Sequence, residues 1–149
     1  MSHQRTQIRK AVATLLDAGT NWNYVYEQRA AVNRDNYPYL MVYVDSESSD
    51  VETLSSPFQL YRDLNIVVQG YVRSQDSDYL EDKLDLIASE VETLLTTATL
   101  NMALTRRVVA VHLAGTDVEV NYNGDDVDDA VISLGFVIQY QTTEGLPDA

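Results

Sequence analysis

Apolar positions between Leu60 and Leu95 change period part-way through. Leu64, Ile66, Val68 and Val72 alternate, with Gly70 inside the series, as a strand buried on one face requires. The polar break Ser74-Gln75-Asp76-Ser77 follows. Leu80, Leu84, Ile87, Val91 and Leu94 then recur at steps of four and three, which is one helical face. Asp78 with Glu81 gives this helix a start of capping-box character. Such a strand-helix pair buries its apolar face only against more sheet.

The flanking segments predict that sheet. Residues 4–18 read as a first helix with the stripe Ile8, Val12, Leu15 and Leu16, ended by Gly19. Thr20 to Asn23 reads as a turn carrying the single tryptophan, Trp22, and Val25 to Arg29 as a short strand. Pro38 opens a strand, and Tyr39 to Val44 is apolar at every position. That pattern predicts cover on both faces, by a helix on one and a second subunit on the other. Asp45 to Pro57 is acidic, serine-rich and without period, and predicts a long mobile loop. The second helix is expected to end near Thr96 to Thr99. Arg107 to Leu113 predicts a strand, kinked at Ala114-Gly115-Thr116. Val118, Val120 and Tyr122 continue it to Asn123-Gly124, a pair suited to a two-residue hairpin turn. The returning strand alternates strictly from Ala130 to Tyr140, and Thr143 to Ala149 reads as a loose tail. The expected fold is α+β, a mostly antiparallel sheet with two main helices on one face, in one domain spanning 1–149.

Charge changes the picture more than composition does. The chain has 149 residues and a formal net charge of −13. Phosphate binding runs on Lys and Arg, so a chain this acidic repels nucleic acid rather than holding it. Its bases are unevenly placed. Arg5, Arg9, Lys10, Arg29 and Arg34 all precede residue 35, where the acids are Asp17 and Glu27. No run reaches the roughly 18–20 apolar residues of a membrane span, and the first residues lack a signal-peptide apolar region. Assembly in the cytoplasm is the expectation.

Candidate chemistry is sparse. Cysteine is absent, which removes thiol catalysis and thiolate metal sites. His3 is expected at a frayed terminus, and His112 on a strand. Serine has no nucleophile-elbow context, and glycine forms no phosphate loop. Asp125, Asp126, Asp128 and Asp129 offer oxygen ligands, but without the glycine and glutamate that an EF-hand loop demands. No catalytic, cofactor or metal site is therefore assigned. Ten tyrosines against two phenylalanines lean toward protein contacts, because tyrosine serves surfaces apolar on one side and wet on the other.

The order of segments resembles the tail terminator proteins of long-tailed bacteriophages. It runs from IRKAVATLL through YPYLMVYV, LNIVVQGYV and LEDKLDLIASEVETLL to LAGTDVEVNYNGDD and AVISLGFVIQYQT. The resemblance implies a similar fold and no chemistry of its own. It implies a homohexameric ring in the virion that caps the tube of major tail protein, stops its growth and offers the head connector a surface. DNA would pass through without specific binding. Candidate contact residues are the bases Arg5, Arg9, Lys10, Arg29 and Arg34, the strand residues Tyr39, Met41 and Tyr43, and the acids Asp45, Glu47, Asp50 and Glu52. Two alternatives stand beside this reading: another neck or tail-completion protein, and an unrelated α+β binding module or small hydrolase.

Overall fold

The computed structural model describes residues 3–19, 24–27, 29, 38–74, 79–104, 108–122 and 128–147. Its elements in chain order are α1 (Gln4–Gly19), β1 (Tyr24–Tyr26), β2 (Tyr39–Val51), β3 (Gln59–Ser74), α2 (Leu80–Leu94), α3 (Thr97–Ala103), β4 (Ala110–Asn121) and β5 (Asp128–Thr143). The strands form one sheet in the order β1-β2-β3-β5-β4. β1 runs parallel to β2, and the other neighbours are antiparallel. The fold is α+β, as the hydrophobic pattern predicts.

β3 and β5 form the centre. Their ladder runs unbroken from Gln59↔Thr143 to Ser74↔Asp128. Alternation does the sorting: Leu64, Ile66 and Val68 point to the same side as Ile138, Phe136 and Leu134, and all six are buried. Leu40 and Val42 of β2 join that face. Ile8, Val12 and Leu16 of α1, Leu84, Ile87 and Val91 of α2, and Leu100 of α3 pack over it. Each fully buried side chain of this size contributes about 1.5–3 kcal/mol. Gly70 occupies an inward position where α2 comes closest. A Cβ there would lie 2.8 Å from both Cδ1 and Cγ2 of Ile87, so the helix can seat only over a bare backbone. At the end of α1, Gly19 meets Leu94 of α2 in the same way, at 2.6 Å.

Several elements depart from the sequence pattern. Asp45–Val51 is strand, not loop. It pairs residue by residue with β3, from Ser46↔Asn65 to Val51↔Leu60, after a bulge between Val44 and Ser46. Most of its side chains are exposed, so no apolar alternation is demanded of them, and the backbone ladder rather than apolar burial sets the strand. The connection is left to residues 52–58.

A third helix follows α2 where the threonines suggested a stop. Thr96 caps it, its hydroxyl accepting from the Thr99 N–H while the Thr99 hydroxyl accepts from the Thr96 N–H. The capping box expected at Asp78 and Glu81 is not the one found: Tyr79 is the N-cap of α2 without a side-chain cap bond, and Asp78 lies outside the described residues. The kink at Ala114–Thr116 is real, a register shift between Leu113 and Gly115. Asn121 pairs with Asp129, whereas a two-residue turn at Asn123-Gly124 would set it opposite Asp126. Residues 123–127 and Trp22 lie outside the described residues. The tail from Thr143 is bonded to the body as far as Pro147, whose carbonyl accepts from the Gln4 N–H at 2.9 Å.

Gly70→Ala is expected to cost about 1–3 kcal/mol in urea denaturation through overpacking. Ile87→Val should recover part of that loss in the double variant, although alone it costs about 0.5–1.5 kcal/mol. Simple addition of the two losses would show that Gly70 and Ile87 do not compete for the same space.

Candidate functional site

The candidate contact residues separate into three groups. The first is a polar clasp across one end of the core. β2 re-enters its ladder after the bulge with Glu47 opposite Leu64, which turns this acid toward the helices. Its side chain is 9% exposed. Oε1 accepts from Arg5 Nη1 of α1 at 3.3 Å and from Arg62 Nη1 of β3 at 3.0 Å. Oε2 accepts from the Tyr140 hydroxyl of β5 at 2.5 Å. Arg62 also donates through Nε to Thr142 Oγ1 at 2.8 Å, and its Nη1 lies 3.4 Å from His3 Nε2. One carboxylate thus ties the first helix to three adjacent strands. A buried charge is tolerable only when paired and hydrogen-bonded, and both conditions are met.

Tyr140 is fully buried. Its pKa is raised above the ordinary 10.0, first by burial, then by the hydrogen bond to Glu47 and by that carboxylate's charge; Arg62 opposes the shift. Arg5 and Glu47, read from the sequence as separate contact residues, are therefore partners of each other. His3, expected to fray, accepts the Arg5 N–H at Nδ1 (3.0 Å) and caps the start of α1 with its carbonyl.

The second group lies on the sheet face away from the helices. Tyr39, Met41 and Tyr71 are buried there, with Tyr26, Tyr43 and Val131 packed around them. Tyr39 stacks on Tyr71 at 4.6 Å and 11°, and meets Tyr26 edge-on at 5.3 Å and 86°. The Tyr71 hydroxyl donates to Gln69 Oε1 at 2.8 Å, and Gln69 Nε2 donates to Ser133 Oγ at 3.1 Å. The apolar run Tyr39–Val44 is thus covered on its second face by tyrosines of the same chain.

The third group is a cationic cleft of about 310 Å³ lined by Arg9, Arg29, Tyr43 and Val44. Arg29 lies over the Tyr43 ring at 4.7 Å and donates through Nη2 to the Val44 carbonyl at 3.2 Å. Arg9 comes from α1, on the other side of the strand. Its Nε is buried and has no hydrogen-bond partner. Lys10, Asp45 and Asp50 are exposed. Glu52 is exposed and accepts from Gln141 Nε2 at 3.0 Å. Arg34, Asp125 and Asp126 lie outside the described residues. Among the described residues no group of three His, Cys, Asp or Glu could hold a metal ion.

No family model matches the chain, and no curated protein matches it. Among solved structures it is similar to a chain of the "Virion of native gene transfer agent (GTA) particle". The likeness covers 94% of this chain and 96% of that one, with a TM-score of 0.55 and 13% identity. At that identity the likeness is one of fold, and it takes in nearly all of both chains.

Arg62, Tyr140 and Thr142 were missing from the sequence-derived set. Arg62 was within reach of the pattern, since it shares its parity with Leu64, Ile66 and Val68 and so faces the core. Nothing in the sequence marked Glu47 as its partner.

The clasp makes two related predictions. Glu47→Ala should cost about 3–5 kcal/mol, because Arg62 keeps its charge in a buried place and loses its counter-ion. Tyr140→Phe should cost about 1–3 kcal/mol near neutral pH, because Glu47 Oε2 loses a donor. The neutral phenol is the bound form and its folded pKa lies above 10.0. Its contribution is therefore complete below about pH 10 and fades as pH climbs past it. Stability measured by denaturation from about pH 8 to 11 should fall less steeply in Tyr140→Phe than in the parent chain.

Proposed function

We propose that this protein is a virion structural protein, a tail terminator whose copies close into a ring on the end of a tail tube. The observation that carries the reading is the fold shared with a chain of a virion over 94% of one and 96% of the other. A match over nearly all of both chains speaks for the whole architecture, not for a common sub-motif. The segment order that resembles tail terminators agrees with it.

In this reading function is geometric. Six copies form the ring, the major tail tube protein meets one face, and a head connector meets the other. DNA passes through the hole. A net charge of −13 suits a wall past which a polyanion must slide, since counterion release on a basic wall would hold it. The buried charged cluster is engaged in holding the fold: Glu47 accepts from Arg5, Arg62 and Tyr140, and Arg62 donates to Thr142.

Electron microscopy of particles made without this protein tests the role. Loss of a terminator should give overlong tails. Tails of normal length that fail to attach to heads would assign it instead to the neck. Normal particles would remove it from both places.

A further inference from the structure

Two stretches of strand edge are open among the described residues, and they carry opposite charge. β1 covers β2 only from Tyr39 to Met41, so the outer edge of β2 is uncovered from Val42 onward. The cleft of Arg9, Arg29, Tyr43 and Val44 lies at this point. Positive charge ends there, because Asp45 follows at the bulge. At the opposite border β4 is the last strand. Its first part is closed by α3, where Thr97 Oγ1 accepts the Val111 N–H at 2.9 Å. Past the bulge, each residue from Gly115 to Glu119 is exposed. Asp117 and Glu119 stand there on the face away from the helices, opposite Ser133 and Val131.

We propose that the cleft receives the β4 edge of a second copy, with Asp117 and Glu119 entering as carboxylate partners of Arg9 and Arg29. The proposal rests on the ring reading above and says which surfaces meet. Three observations support it. Arg9 Nε has been taken out of water without a partner, and a buried donor left so is costly until something accepts from it. Arg29 is already oriented, held by the Tyr43 ring and the Val44 carbonyl, so little side-chain freedom remains to be lost on binding. In a chain with 23 acids and 10 bases, a cationic cleft is the exception, and the surface complementary to it sits on the other border of the same sheet.

Identical copies can use this pair of surfaces only head to tail, because edge on edge would set acid on acid and cleft on cleft base on base. A heterologous contact of this kind closes into a ring when its rotation allows. The same approach brings two open strand edges together, the usual route by which sheets extend between chains.

Charge exchange tests the contact. One chain carries Arg9→Glu and Arg29→Glu, the other Asp117→Arg and Glu119→Arg. Each alone sets like charges together in every contact. Mixed in equal amounts they alternate, and each contact is complementary again. Light scattering coupled to chromatography should find the parent assembled, each exchanged chain monomeric and the mixture assembled. Assembly of either exchanged chain at the parent's concentration overturns the proposal, and so does a mixture that stays monomeric. A parent monomeric up to its solubility limit overturns it as well, while overlong tails on particles lacking the protein would still uphold the terminator reading. If Arg29→Glu lowers the melting temperature, Arg9→Glu alone takes its place, since that side chain's Nε has no hydrogen-bond partner among the described residues.

Discussion

The seat of α2 on the β3–β5 ladder is the constraint from which the rest follows. Two sixteen-residue strands pair without a break, and Gly70 leaves the hollow into which Ile87 fits. With that helix in place, one face of the sheet is closed to water and the other is not. α1 then has a single place to bury Ile8, Val12 and Leu16, beside α2 and over β2. α3 caps the remaining corner with Leu100. Among the described residues the sheet's second face carries a small aromatic cluster of its own.

The polar clasp solves a different problem. β3 and β5 are longer than the helices can cover, so their far ends leave the core under polar cover. A hydrophobic closure there would need a further element. Glu47 replaces it by drawing Arg5, Arg62 and Tyr140 around one carboxylate. The bulge between Val44 and Ser46 makes this possible, since it shifts the strand's register and brings Glu47 opposite Leu64. The same bulge marks the end of the cationic cleft. One irregularity therefore separates a part of β2 that holds the fold together from a part that faces outward.

The proposed role in assembly accounts for where the charges sit. Acids outnumber bases 23 to 10, and such an imbalance favours solubility and disfavours contact with nucleic acid. The bases are few, and most of the described ones are engaged: Arg5 and Arg62 in the clasp, and Arg29 against Tyr43 and Val44, while Lys83 donates to the Arg73 carbonyl. Arg29 shares with Arg9 the cleft beside Val44, which is small and specific. Specific contact between otherwise like-charged copies needs such a localized exception, since their net charges repel.

The α+β class, the core strands β3 and β5 and the buried face of α2 could be read from periodicity alone, because these segments bury one face against a large apolar layer and each residue's parity decides its side. The bulge in β4 was legible too, from its small residues. Asp45–Val51 was not, because a strand with wet faces is held by backbone pairing, which leaves no trace in side-chain pattern. α3 hid behind threonines that look like a terminus and act as a cap. In the β4–β5 ladder Asn121 faces Asp129, and the Asn-Gly pair between them lies outside the described residues. Sequence by itself also determined the charge imbalance and the clustering of bases before residue 35. Only the folded chain decided which of those bases are satisfied within it and which are left facing out, because Arg5 and Arg9 differ by four residues on one helix yet meet different neighbours, Glu47 in one case and an open strand edge in the other.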